Sequence, residues 1–441
     1  MTTPIFDFIK AYAESKNTRF HMPGHKGVGK LGCEKYDITE IKGADVLYSA
    51  EGIIEESENN LSVLYGTCHS FYSTEGSTLA IKAMLTLVTS NRKTGERPVV
   101  LAGRNAHASF LRAAALLDID VLWIYPEGQE HLCECKIGAG DIKKSIENLD
   151  RKPYAVYVTS PDYLGNMLDI GSLSRACAKY GVPLIVDNAH GAYLKFLPED
   201  KHPITLGAAM CVDSAHKTLP VLTGGAYLHV SKGYPEYAER ARGALSIFAS
   251  TSPSYLTLAS LDLCNERLDS DYPEKLAQTV KMVEEIKKKI ANLGFEVCDS
   301  EPLKIVIKSD GSLAEHLREN GIEVEFSDRD FTVFMLTPDN SDADFLRLVD
   351  VISKTVPEKT NDEKYFVSNS HETKMTVREA VFSPCETVAI EASVGRICAA
   401  PTVSCPPAVP IVVSGEVITN DDVELFKRYG IDKVSVVIED K

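Results

Sequence analysis

Two apolar runs in the middle of the chain end in side chains that could do chemistry together. Val186-Asp187-Asn188-Ala189-His190-Gly191 closes the first with a carboxylate followed by small residues. Asp213-Ser214-Ala215-His216-Lys217-Thr218 closes the second. If both runs are strands of one sheet, Asp187 and Lys217 sit at the same edge. A pyridine-ring aldehyde cofactor needs that pair. The lysine forms an imine with the aldehyde, and the aspartate keeps the ring nitrogen protonated, so that the ring accepts electrons from the substrate's α-carbon. Taken singly, each residue has a plainer reading: Asp187 as a strand-end turn residue, Lys217 as a solvated lysine. Their joint placement favours the chemical one.

Two further groups could serve the same site. Ser73-Thr74-Glu75-Gly76-Ser77-Thr78 precedes a helical run, and N–H groups and hydroxyls at a helix N-terminus suit a phosphate; a plain N-cap is the alternative. His107, in Asn105-Ala106-His107-Ala108-Ser109, follows a strand-like run and could stack on an aromatic ring, or simply start a helix. No metal is expected. Cys133-Glu134-Cys135 with His131 lacks the spacing of a zinc knuckle, and no second cysteine pair follows it.

The elements that must position these residues alternate. Helical patterns over 76–89, 108–117, 142–149 and 173–180 are interleaved with strand-like runs at 98–102, 121–125, 155–159, 183–187, 210–213 and 226–230. Such alternation predicts a mostly parallel sheet with helices on both faces, and ligands at the carboxyl ends of the strands. Phe6, Ile9 and Ala13 predict a short first helix. A long helical stretch from Ser254 towards Leu293 should break or kink at Pro273. Strand-like runs at 303–307, 323–326 and 332–336 predict a second, smaller α/β unit. The polar run 358–374 reads as a connection, and Thr387–Cys398 with the proline-rich 401–410 as a third compact segment.

Length and composition set limits on function. A chain of 441 residues holds two or three domains, and 44% apolar with 25% charged residues is ordinary for a globular protein. The net charge of −16 argues against a nucleic-acid partner. No run approaches the roughly 18–20 apolar residues that cross a bilayer. Met1-Thr2-Thr3-Pro4, with Asp7 and Lys10 close behind, is not a secretory signal, and the eleven cysteines are expected to be reduced thiols in the cytoplasm.

Several motifs then match one family in order. The chain resembles the ornithine/lysine/arginine decarboxylases, enzymes of pyridoxal-phosphate fold type I (aspartate-aminotransferase-like), over nearly its whole length. The resemblance rests on Phe20-His21-Met22-Pro23-Gly24-His25-Lys26-Gly27, Ser214-Ala215-His216-Lys217-Thr218-Leu219-Pro220 and Ser250-Thr251-Ser252-Pro253-Ser254-Tyr255. It also rests on Cys405-Pro406-Pro407-Ala408-Val409-Pro410 with Gly415-Glu416. It implies pyridoxal 5'-phosphate as cofactor, Lys217 as its Schiff-base lysine and Asp187 as the partner of the pyridine nitrogen. His107 would stack on one face of the ring and Ala189 pack on the other. His190 would join the cofactor contacts, and Gly76, Ser77, Ser214 and His216 would hold the phosphate side. Ser252 would reach the phosphate of the neighbouring subunit of a homodimer. Asp162 or Tyr163 would lie near the phenolic oxygen.

The run of elements places boundaries near 50, 295 and 365, which with the resemblance gives an arm (1–50), a cofactor-binding large domain (51–295), a small α/β domain (296–365) and a C-terminal decarboxylase-type domain (366–441). A short form is expected, without the receiver-like N-terminal wing of larger bacterial members. Three positions depart from the family pattern: Asn188 stands where a glutamate is common, Glu75-Gly76-Ser77 where Gly-Thr-Ser is usual, and Ala408 where the C-terminal signature has glycine. The expected reaction is decarboxylation of a basic amino acid, arginine or lysine and possibly ornithine, in polyamine metabolism. Lys217, His216 or a cysteine such as Cys385 would protonate the α-carbon. Glu416 could meet the distal cation of the substrate, or be a surface glutamate. The rival readings are an aminotransferase on the same fold, with Arg396 gripping the α-carboxylate, and a catalytically lapsed regulatory subunit.

Overall fold

The computed structural model describes residues 1–125, 135–357, 370–405 and 409–439. Seven strands carry the central α/β part: β1 (His69–Ser73), β2 (Val99–Gly103), β3 (Asp120–Ile124), β4 (Ala155–Thr159), β5 (Leu184–Asp187), β6 (Met210–Asp213) and β7 (Ala226–Val230). The chain divides into two compact units, one of residues 1–90 and 185–278, the other of 91–184 and 279–441.

In the first unit β5 and β6 run parallel, β7 is antiparallel to β6, and β1 is antiparallel to β7. The helix Gly76–Thr89 packs on β6 and β7. It buries Leu79, Ala80, Ile81, Ala83, Met84, Leu85, Leu87, Val88 and Thr89, apolar on nearly every side, as befits a helix covered on more than one face. The helix Ile53–Tyr65 stops at Gly66, whose φ of +70° is the left-handed cap that glycine supplies most easily. In the second unit β2 lies between β4 and β3, all parallel. Apolar side chains fill both faces of β2, where all five residues are buried. Parallel pairs therefore dominate, as the alternation of elements predicts.

The remainder of the second unit builds two smaller sheets and a hairpin. β8 (Lys304–Lys308), β9 (Phe326–Ser327) and β10 (Phe331–Met335) form an antiparallel sheet in the order β8-β10-β9. β11 (Cys385–Ala389) pairs at its antiparallel partner with β14 (Lys433–Val437), and between them β12 (Thr402–Cys405) pairs with β13 (Val409–Val413).

Several expectations shift. The first helix, Pro4–Glu14, buries Ile5 and Ile9, while Phe6 and Ala13 are half-buried, so the inward stripe sits one residue round from the expected one. The helical stretch after Ser254 breaks at 270–271, between Tyr255–Asp269 and Tyr272–Asn292. Pro273 lies in the first turn of the second helix, where its missing N–H is lost at no cost. The strand expected at 323–326 shrinks to Phe326–Ser327. Helices begin earlier than expected at Ala139 and at Ile170, the latter because Asp169 accepts the Ser172 N–H as a cap. The expected connection at 358–374 lies mostly outside the described residues.

Candidate active site

The parallel register pairs Asp187 with Val212, so β5 and β6 end at the same edge of the sheet. Asp187 is 2% exposed, and its Oδ1 accepts the Ala189 N–H at 3.2 Å. Beyond β6 the chain turns at once into the four-residue helix Ala215–Thr218. That turn brings Lys217 Nζ to 3.0 Å from His190 Nε2. The two strand ends thus converge on an amine, an imidazole and a carboxylate within one unit.

The loop before the helix Gly76–Thr89 is tied to the same place. Gly76 donates its N–H to Gly224 O at 2.8 Å, while the next carbonyl, Gly225 O, accepts from His216 N at 3.1 Å and His216 Nδ1 at 2.9 Å. Gly224 has a φ of +95°, and a Cβ there would lie 2.8 Å from the Thr74 carbonyl oxygen. Glycine is required for so close an approach. The turn at 222–225 therefore joins the start of a 14-residue helix to the helix that carries Lys217.

Polar groups at this junction suit an anion. Ser214 Oγ and Thr218 Oγ1 are buried without a hydrogen-bond partner, and buried hydroxyls in that state are rare unless a ligand completes them. Glu75, the acidic departure from the family pattern, does not oppose this. Its Oε1 accepts the Ser250 N–H at 2.7 Å, so the carboxylate is engaged by the 250–252 segment. Ser252 itself is exposed. Asn188, the second departure, is buried and donates from Nδ2 to Asp213 Oδ1 at 2.7 Å. Ala189 and His190 are both buried beside Asp187. Of the residues expected in the site, Asp187, Ala189, His190, Ser214, His216, Lys217, Gly76, Ser77 and Ser252 all belong to the first unit.

His107 belongs to the second unit. It caps the helix Ala108–Leu117, its Nδ1 accepting from Ser109 N at 3.2 Å and lying 2.9 Å from the Ser109 hydroxyl, and it stays exposed. Asp162 is bound into its own loop by Asn166, at 2.9 Å from both the backbone N–H and Nδ2. The Tyr163 hydroxyl donates to Glu325 at 3.1 Å.

Glu416 corrects both of its expected readings. It is 1% exposed, not a surface residue, and it forms a bidentate pair with Arg104 at 2.9 and 2.8 Å. It also accepts the Val413 N–H, so its charge is already matched inside the protein. Arg396 donates to Glu386 Oε1 at 2.8 Å and to Val437 O at 3.0 Å, contacts that stitch β11 to β14. Cys385 is exposed at the start of β11. Of the Cys133-Glu134-Cys135 pattern with His131, only Cys135 is among the described residues, a buried free thiol; Pro406-Pro407-Ala408 lies outside them.

The sequence reading left the His190–Lys217 contact undrawn, although the spacing Asp187-x-x-His190 on a strand end puts a second ring close to the lysine. The Arg104–Glu416 pair, 312 residues apart in the chain, left no local signal.

Comparison with known proteins agrees with this geometry. The family model for the Orn/Lys/Arg decarboxylase major domain matches residues 3–310, and that for the Orn/Lys/Arg decarboxylase C-terminal domain matches 359–429. The arginine decarboxylase of Bacillus subtilis (strain 168) is 28% identical, with 97% of this chain and 93% of that one aligned. The crystal structure of the Francisella novicida lysine decarboxylase superposes with a TM-score of 0.83 at 18% identity, over 99% of this chain and 81% of that one. An SPT solved with PLP superposes at 0.55 and 14% identity, over 68% of this chain and 75% of that one. The fold is pyridoxal-phosphate fold type I.

Proposed function

The chain belongs to the Orn/Lys/Arg decarboxylase family, and from that premise we propose that it removes the α-carboxylate of arginine or lysine, with ornithine as a third candidate, as carbon dioxide. The observation that carries this reading is the meeting of Lys217, His190 and Asp187 at one strand edge, with Lys217 Nζ 3.0 Å from His190 Nε2. Pyridoxal phosphate, when bound, supplies an aldehyde that captures amines and a ring that takes up the electron pair left by departing carbon dioxide. The buried, unpartnered hydroxyls of Ser214 and Thr218 and the helix start at Gly76 and Ser77 fit its phosphate.

The residues divide the work by their chemistry. Lys217 would provide the tethering amine. His190 Nε2, 3.0 Å from Lys217 Nζ, is the group placed to take a proton from that amine. Asp187, buried at a sheet edge, would hold a proton on the ring nitrogen. Gly76, Ser77, Thr78, Ser214 and His216 would bind the phosphate end. His107 and Ala189 would flank the ring. Lys217, His216 and Cys385 remain the candidate proton donors to the α-carbon. Arg396 is held by Glu386 and Val437 O, which favours decarboxylation over an aminotransferase that needs a free arginine clamp.

The proposal extends to assembly and setting. Phe20, Met22, Val28 and Leu31 are 92%, 67%, 78% and 86% exposed in the N-terminal arm. Apolar groups so concentrated suit a surface covered by a second copy, and we place Ser252 at the neighbouring copy's phosphate in such a dimer. Among the described residues no helix is long and apolar enough to cross a membrane. A cytoplasmic enzyme feeding polyamine synthesis is the setting we propose.

The test is direct. The full chain with pyridoxal phosphate is given arginine, lysine and ornithine, and carbon dioxide and amine are measured. One or more should be decarboxylated, glutamate and aspartate should not, and Lys217→Ala should abolish both turnover and the cofactor's visible absorbance. A keto acid formed stoichiometrically, with no carbon dioxide from any basic amino acid, would overturn the reading.

A further inference from the structure

Behind the strand that delivers Lys217, one buried carboxylate is gripped from several sides. Asp213 is the last residue of β6. It is 0% exposed, as are Asn188, His202 and His229. Asn188 Nδ2 donates to its Oδ1 at 2.7 Å. His202 Nε2 and His229 Nε2 lie 3.1 and 3.2 Å from its Oδ2. The second nitrogen of each ring fixes the proton. His202 Nδ1 is buried with no partner, so a proton there would be a buried donor without an acceptor. His229 Nδ1 lies 2.7 Å from Ser70 Oγ, a hydroxyl able to donate to it. Burial pushes the His229 imidazole down, towards its neutral form. Each ring therefore keeps one proton, on Nε2, and directs it at Asp213.

Asn188 is held as firmly as the carboxylate it serves. Its backbone N–H donates to Val212 O at 2.9 Å, and its carbonyl accepts the Gly191 N–H at 2.8 Å. A Cβ at Gly191 would lie 2.1 Å from Asn188 Oδ1, so glycine alone lets the turn close over this amide. The turn has Asp187 at its start and His190 near its end, with His190 Nε2 3.0 Å from Lys217 Nζ. Asp213 precedes Lys217 by four residues. One carboxylate thus joins the strand end that carries the imidazole to the strand end that carries the amine.

We propose that Asp213 and Asn188 are positioning residues. The carboxylate, steadied by two imidazole N–H groups, holds through the Asn188 amide the turn that sets His190 against Lys217. The inference rests on Lys217 as the reactive amine, but the clamp is built before any cofactor arrives. Hydrogen bonds to an ionised acceptor are roughly twice as strong as neutral ones, which favours a carboxylate at 213 over a second amide.

The same pairing accounts for the departure at 188. A carboxylate there would face Asp213 oxygen to oxygen, and two carboxylates at hydrogen-bond distance cannot both stay charged. An amide supplies the N–H that Asp213 needs and adds no charge.

The experiment follows Lys217 itself, in the full chain freed of cofactor, so that failure of the decarboxylase reading and failure of the clamp are separate results. Formaldehyde with cyanoborohydride methylates accessible amines. Mass spectrometry reads the rate at Lys217 from neutral to alkaline pH, with exposed Lys354 as internal control. His190→Ala should change the Lys217 pH–rate profile, because it removes the ring 3.0 Å from the amine. Asn188→Asp should change it to the same extent, and combining the two should add nothing, since both act on one contact. A purely structural lesion would lower the melting temperature without this dependence on His190. Asn188→Asp together with Asp213→Asn exchanges amide and carboxylate. The exchange restores one N–H···O bond and leaves an amide oxygen for the two imidazoles, so the parent profile should return. The clamp is overturned if folded Asn188→Asp keeps the parent profile, or if its effect adds in full to that of His190→Ala. Should Asn188→Asp not fold, the exchange decides. A folded double variant with the parent profile supports the clamp, and an unfolded one or an altered profile overturns it.

Discussion

Two buried carboxylates of this chain, Asp187 and Glu416, have different work to do. Asp187 ends a strand and is 2% exposed, in the unit that also holds Lys217 and His190. An aspartate so placed can hold a proton on a basic ring nitrogen. Asp187→Ala should therefore leave some cofactor bound but slow carbon dioxide release by several orders of magnitude, because an unprotonated ring is a poor electron sink. Near-normal turnover in that variant would remove Asp187 from the mechanism. Glu416 is the contrast. Its carboxylate is consumed by Arg104, at 2.9 and 2.8 Å, with Arg104 also bonded to Ile411 O at 3.1 Å. Burial works against the Arg104 charge, but Glu416, helped by Tyr125 and Asp422, more than offsets it, so the guanidinium is held above its ordinary range. Glu416→Gln leaves that guanidinium buried without its counter-charge, a loss of about 3–5 kcal/mol. Chemical denaturation should show this loss while KM for the basic substrate stays unchanged in the folded fraction. A large KM change with unaltered stability would restore Glu416 to the substrate site.

At the scale of elements, whatever repeats along the chain was legible and whatever pairs across it was not. Gly76–Thr89, Ala108–Leu117, β4, β6 and β7 were placed with their observed bounds, because each is a compact apolar run closed by turn residues. β1, His69–Ser73, went unnoticed. It is short and polar, and its partner β7 lies far along the chain. The helix Ile53–Tyr65 was missed as well, since three glutamates and two asparagines dilute its apolar stripe. The strand-end pair Asp187 and Lys217 was readable because both follow apolar runs, whereas Glu75 could be understood only once its bond to Ser250 N was seen. The docking of the first helix is another long-range feature. Asp262 Oδ2 accepts the N–H groups of Ile5 and Phe6 at 2.8 and 2.9 Å, and Oδ1 accepts the Ser57 hydroxyl. Burial pushes this carboxyl up to about 6, against the hydrogen bonds that lower it. The folded chain thus holds the proton more tightly than the unfolded chain, whose value is near 3.9. Stability from this group is complete below about pH 4 and is lost as pH rises through about 6, a change of about 3 kcal/mol. Asp262→Asn keeps an acceptor for the helix start but cannot ionise. Relative to the parent it should gain stability steadily between pH 4 and 7 in denaturant titrations, and a difference independent of pH would refute the assignment.

For the whole molecule the open question is whether one chain builds a complete site. Two observations pull apart. The N-terminal arm exposes Phe20, Met22, Val28 and Leu31 in a stretch of twelve residues, more apolar surface than an isolated chain usually leaves in water. That favours a symmetric pair in which each copy lends residues to the other. The segment 250–252, however, is bonded through Ser250 N to Glu75 of its own chain, at the start of the phosphate-suited helix. Ser252 could then serve its own site. Mixing separates the two. Lys217→Ala removes the reactive amine, and Ser252→Glu sets a negative charge against the phosphate from an exposed position that tolerates the change. Each variant alone should be inactive. If Ser252 crosses to the partner, a mixed dimer has one site with Lys217 from one chain and Ser252 from the other, both intact, and a second site with both altered. Random reassortment makes half of the dimers mixed, so about one quarter of wild-type activity should return. If Ser252 serves its own chain, every site in every dimer keeps one defect, and activity stays at background however thoroughly the subunits exchange. Proven exchange without recovery would assign each site to a single chain and leave the apolar arm to assembly alone.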